Sequence, residues 1–160
     1  MKQYIKAGGK ILYDYAMALI VFVVFMYPFL AFIKDKFYTW LPLYSIIIFL
    51  FAFYIIYGEM KVLAIKEKRP QYDLHPYPMK GLLYGIFAII PIATISGTLS
   101  LLRLESGIAD RIRHVAINTL LGPVYFIIRW MKESFVGYVI AILVIPVLAM
   151  LGYLAGYYEI

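Results

Sequence analysis

Apolar residues gather into four long runs separated by shorter polar connectors. The runs cover residues 11–33, 41–63, 81–102 and 135–157. Each supplies the roughly 20 predominantly apolar residues that a helix needs to cross about 30 Å of hydrocarbon. None shows the strict alternation of a membrane β-strand. Backbone groups in hydrocarbon must also bond within their own segment, so the runs predict α-helices. A basic start, MKQYIKAGGK, precedes the first run. That run is too long for the core of a signal peptide, and no small-x-small cleavage site follows it. It reads as a retained helix, with Gly8-Gly9 as a loose joint before it.

The connectors differ in character. FIKDKFYTWLP forms a tight turn carrying Phe37, Tyr38 and Trp40, residues that favour the headgroup level. KVLAIKEKRPQYDLHPYPMK, residues 61–80, is the longest polar connector, stiffened by its prolines. From 103 to 114 runs RLESGIADRIRH. There Ile108, Ile112 and Val115 share one helical face, opposite Asp110, Arg111, Arg113 and His114, a pattern that suits a helix lying in the interface.

A fifth apolar stretch, VAINTLLGPVYFIIRWM at 115–131, poses the main architectural question. Seventeen helical residues reach only about 25 Å, and Pro123 inside them removes a backbone bond at a cost of ~3 kcal/mol. Length and the Gly122-Pro123 break favour a segment of about 107–131 that is embedded or interfacial without crossing. The positive-inside rule pulls the other way. With the N-terminus inside and no crossing, Lys2, Lys6, Lys10, Lys61, Lys66, Lys68, Arg69 and Lys80 lie inside. Lys34, Lys36, Arg103, Arg111, Arg113, Arg129 and Lys132 then lie outside, eight cations against seven. A crossing moves Arg129 and Lys132 inward, makes the count ten against five, and puts the C-terminus outside. A local helix break weighs more than a bias in orientation, so four spans are expected, with both termini cytoplasmic.

Composition agrees with this reading. The 160 residues are 64% hydrophobic, against about 45–50% in soluble domains. One small core cannot absorb that excess. The absence of cysteine excludes disulfides, thiolate metal sites and cysteine nucleophiles. Net charge is +6, with the cations almost all outside the runs, where each gains about 1 kcal/mol near anionic lipid. Anionic headgroups are therefore the expected partners, with Lys66, Lys68, Arg69, Arg111 and Arg113 as the lipid-facing cations. Nucleic acid is not expected.

KGLLYGIFAIIPI at 80–92 and IPVLAMLGYLAGYY at 145–158 together resemble small multi-span membrane proteins of Gram-positive bacteria. These proteins pair a Lys-Gly…Gly…Ile-Pro helix start with a final Gly-Tyr-x-x-Gly-Tyr. The resemblance covers the second half of the chain. It implies four spans with both termini inside, and it implies no activity.

Candidate sites are few. Gly81, Gly85 and Gly97 on the third run and Gly152 and Gly156 on the last have spacings that let helices approach closely. They serve either packing within one chain or a partner face. Asp14 and Glu59 are the membrane carboxylates, and such groups are functional candidates by default. Both lie near helix ends, where Lys10 or Lys61 can pair with them. Pro91 frees a backbone carbonyl, and Thr94, Ser96, Thr98 and Ser100 follow it. With Asp14 and Glu59, these residues are the raw material of an ion path. No G-x-S-x-G, H-E-x-x-H, P-loop or G-x-G-x-x-G motif is present, so no catalytic, cofactor or metal residue is assigned.

The expectation is an all-α polytopic helical membrane protein, a single membrane domain of four transmembrane helices plus one short membrane-embedded or interfacial segment. Its expected role is a non-catalytic small subunit or accessory factor of a larger assembly, through a membrane protein partner or self-association. A homo-oligomeric channel or small transporter is the alternative, and a lipid-modifying enzyme comes third.

Overall fold

The structure, a computed structural model, describes residues 2–33, 36–69, 75–101 and 107–158. Lys34, Arg103 and the connector residues 70–74, used in the sequence reading, lie outside these, as does Leu102 at the end of the third run. Regular structure among the described residues is entirely helical: α1 (Lys2–Ile33), α2 (Phe37–Glu67), α3 (Lys80–Leu101), α4 (Gly107–Leu120), a 3-10 turn (Gly122–Val124), α5 (Tyr125–Trp130) and α6 (Phe135–Tyr158). Four of these, α1, α2, α3 and α6, are long and apolar enough to cross a membrane. The fold is all-α.

Two boundaries differ from the sequence reading, each for a packing reason. Gly8 and Gly9 are not a joint; they lie within α1. Gly8 is buried against α3, where a Cβ would stand 2.8 Å from Phe87 Cβ and 3.1 Å from the Tyr84 carbonyl oxygen. Glycine permits that approach. Next, α2 runs past residue 63 to Glu67, so the first third of the expected polar connector is helical. Its buried residues Ala52, Ile56, Met60, Ala64 and Glu67 recur every three or four positions, so one face stays in contact to the last turn.

The stretch 115–131 is broken at Gly122-Pro123, as the sequence reading expects. α4 ends at Leu120, and Pro123 stands in the first turn of the 3-10 segment, where its missing N–H costs nothing. Ser45 of α2 supports the break. Its Oγ donates to the Gly122 carbonyl at 2.7 Å and accepts from the Phe126 N–H at 3.2 Å. One buried hydroxyl thus bridges two backbone groups that an unbroken helix would have bonded directly.

The chain divides into two compact units, each taking a segment from every long helix. The first comprises Met1–Tyr15, Leu50–Ile89 and Leu143–Ile160. Its core is built from Ala7, Ile11, Ile56, Met60, Tyr84, Ala88, Ala149 and Tyr153. Small residues set the helix spacing there. A Cβ on Gly81 would lie 2.7 Å from the Ala149 carbonyl oxygen, and one on Gly85 2.9 Å from Pro146 Cβ. A Cβ on Gly152 would lie 2.6 Å from the Tyr57 carbonyl oxygen, and one on Gly156 2.9 Å from Ala64 Cβ. These four glycines are therefore taken up by packing within the chain, α3 on α6 and α6 on α2. Gly97 meets nothing within 4 Å.

The second unit comprises Ala16–Phe49 and Ile90–Ile142. Phe22, Tyr44 and Ile48 form a core there, with Val21, Met26, Phe29 and Leu41 packed against it. Tyr44 donates its hydroxyl to the Phe22 carbonyl at 2.6 Å and stacks on Phe29 with ring centroids 4.6 Å apart. The apolar residues of α4 named above point outward: Ile108, Ile112 and Val115 are exposed.

Candidate functional site

In the first unit, α2 ends on a carboxylate, Glu67, and α3 begins on an ammonium, Lys80. Both are almost fully buried, Glu67 3% exposed and Lys80 2%. Lys80 Nζ lies 2.8 Å from Glu67 Oε2, which also accepts the Tyr153 hydroxyl at 2.8 Å. Oε1 accepts the Tyr84 hydroxyl and Gln3 Nε2, each at 2.7 Å. A carboxylate offers about four lone-pair sites, and here α1, α3 and α6 occupy them. The arrangement binds residues from all four long helices to a common centre. A carboxylate so fully engaged is a poor base or nucleophile and an effective fastener.

Burying charge is expensive, and its compensation must be complete. Tyr153 tests this. An interhelical hydrogen bond in a membrane averages only about 0.6 kcal/mol, whereas one to a charged group contributes about 1.5–3 kcal/mol. Tyr153→Phe should therefore lower stability by ~1.5–3 kcal/mol, read from equilibrium unfolding in mixed micelles. A loss of a few tenths would mean that Tyr153 does not hold an ionised carboxylate.

A crevice of about 380 Å³ adjoins this centre, lined by Gln3, Lys6, Ala7, Lys10, Leu63, Lys66 and Glu67. Lys10 pairs with Glu59 at half-exposed positions. Asp14, one turn along α1, is 5% exposed, and its Oδ2 is buried without a hydrogen bond. Lys68 donates to the Tyr157 carbonyl at 2.9 Å, satisfying a carbonyl at the C-terminus of α6. Lys66 and Arg69 are exposed.

Pro91 and Thr94, suggested with Asp14 and Glu59 as an ion path, belong to the second unit. Thr94 Oγ1 donates to the Pro91 carbonyl, Thr98 Oγ1 lies 2.9 Å from the carbonyls of Thr94 and Ile95, and Ser100 donates to Gly97. These hydroxyls satisfy their own helix. Ser96 behaves differently: its side chain is buried and its Oγ makes no hydrogen bond. It lines a cavity of about 450 Å³ bounded by α3, α4 and α6. Arg113 and His114 stand on the α4 wall. Arg113 Nη2 pairs with Asp110 at 2.5 Å, and His114 Nε2 lies 3.8 Å from the same carboxylate. Arg111 is exposed.

Sequence reasoning missed the Glu67 centre. The sequence places Glu67 in a polar connector and Lys80 among the inner-face cations, whereas the structure buries both. Continuing the 52-56-60-64 stripe by one turn would have found Glu67 on the buried face. Among the described residues, no group of three or more histidine or acidic side chains could hold a metal ion. No protein-family model, curated protein or solved structure matches the chain.

Proposed function

We propose that this protein is a non-catalytic integral membrane protein acting as a small subunit or accessory factor of a larger membrane assembly, with both termini cytoplasmic. The observation that carries this reading is the outer face of α1. Only 11% of its most apolar stretch is buried, against 28%, 28% and 39% for α2, α3 and α6. Tyr13, Met17, Ile20, Val24 and Tyr27 are all exposed on it. They recur at alternating steps of four and three, the 3.5-residue period with which a second helix packs along a seam. The carboxylate of Glu67, by contrast, has its hydrogen bonds and ion pair satisfied within the chain.

Purification in mild detergent tests this. The complex should carry a second membrane protein chain, or a second copy, at fixed stoichiometry. Tyr13→Ala with Tyr27→Ala should release it while the chain remains folded. Recovery of one chain per particle from wild-type membranes would overturn the reading.

A second reading has one observation in its favour. The unbonded, buried Oδ2 of Asp14 beside the Lys10–Glu59 pair suits a proton- or cation-coupled transporter. Solute or ion flux in liposomes, abolished by Asp14→Asn, would favour that reading over the first.

A further inference from the structure

We infer that the cavity of the second unit is a binding site for a single phospholipid, its phosphate held at Arg113 and His114 and an acyl chain lying between α3 and α6. This goes beyond the subunit reading and does not depend on it.

Three observations converge. The cavity, about 450 Å³, falls within the roughly 300–1,000 Å³ of small-molecule sites. Its walls are mostly apolar: Ala93 and Gly97 of α3, Ile117 of α4, and Phe135, Val139 and Ile142 of α6. Polar groups gather on a few positions, Arg113 and His114 on α4 with Ser96 and Ser100 on α3. A greasy slot with a cationic rim matches an amphiphile that is anionic at one end. It does not match a free anion, which has nothing to place against Phe135 or Ile142, nor a neutral hydrocarbon, which has no polar group to place at Arg113 and His114.

Second, the Arg113 side chain is only partly exposed, 18% against 46% for the Asp110 side chain with which it pairs. A half-sheltered arginine holds phosphate in a fixed, forked geometry rather than as a diffuse surface charge. Asp110 competes for the same cation, so the site is tuned below full strength. Third, Ser96 Oγ is a buried hydroxyl without a hydrogen bond on the cavity wall. Such groups are rarely left so, and an ester carbonyl of a glycerolipid is an acceptor suited to it.

Native mass spectrometry tests the inference on full-length protein from nanodiscs of phosphatidylglycerol with phosphatidylcholine. One phosphatidylglycerol per chain should survive release. Arg113→Gln should reduce that retention at least about tenfold, the effect of losing one charge-assisted contact. Asp110→Asn, which removes the competing anion, should increase it. Gly97→Leu should abolish it by filling the slot. Because a Cβ at Gly97 meets nothing, that variant should unfold at the wild-type temperature. This keeps the result interpretable even if Arg113→Gln folds poorly. Lys36→Gln, on an exposed cation that does not line the cavity, should leave retention unchanged.

Equal retention in wild type and Gly97→Leu would overturn the proposal. So would equal loss in Lys36→Gln and Arg113→Gln, which would indicate diffuse charge attraction. Displacement of the lipid by millimolar inorganic phosphate would likewise overturn it, since the occupant would then be a free anion. A failure of any kind here leaves the stoichiometry of the detergent complex untouched, so the two proposals fail separately.

Discussion

Lys80→Met is expected to lower unfolding stability by about 3–5 kcal/mol, the usual consequence of stripping one partner from a buried ion pair. Glu67, 3% exposed in the wild type, would keep its bonds to two tyrosines and Gln3 but lose its counter-charge. An equilibrium unfolding series in mixed micelles measures this. Glu67→Gln should be comparably damaging, because it strands the buried ammonium. The double variant should be milder than the sum of the two, since it removes both charges and keeps an acceptor for the tyrosines. A favourable coupling above ~1 kcal/mol in that cycle is the signature of direct contact. Additive effects would show that Lys80 and Glu67 act independently, and the centre described above would not exist. The pair as a whole need not add much net stability over a well-packed apolar substitute. Its contribution is to register: only one alignment of α1, α2, α3 and α6 brings Gln3, Glu67, Lys80, Tyr84 and Tyr153 together.

The second large effect concerns helix spacing. Gly81→Val and Gly85→Val should each lower stability by about 1–3 kcal/mol or more, the range for overpacking a filled interior. The atoms in the way are backbone and proline ring, Ala149 O at 2.7 Å and Pro146 Cβ at 2.9 Å. They cannot rotate aside as a flexible side chain would. Gly97→Val on the same helix should be close to neutral, since nothing lies within 4 Å. The same unfolding assay checks all three. A uniform response would mean that valine's effect comes from the helix backbone and not from contact between α3 and α6.

The pattern of the chain predicted the four long helices and their approximate places, because the apolar runs have no competing interpretation at that length. The Gly122-Pro123 break was also legible, though Ser45, the hydroxyl that supports it, was not. Ser45 lies 77 residues from Gly122 in sequence, and no local signal links them. Helix ends were harder. Gly8-Gly9 looks like a flexible joint to any rule based on propensity, and only the face of α3 explains why it is helical. The same holds for Glu67, whose charge and basic neighbours suggest solvent. Tertiary contact made both decisions. Gly81, Gly85, Gly152 and Gly156 were recognisable as close-packing positions, whereas which helix each one meets was not.

The most direct test of the architecture is the sidedness of the chain ends. The protein has no cysteine, so single cysteines can be placed without background. In sealed, oriented vesicles, Lys6→Cys, His75→Cys and Tyr158→Cys should react with an impermeant maleimide from one side. Lys36→Cys and Lys132→Cys should react only from the other. Tyr158→Cys reacting from the same side as Lys36→Cys would mean that residues 107–131 cross the bilayer after all, and the four-span account would be wrong.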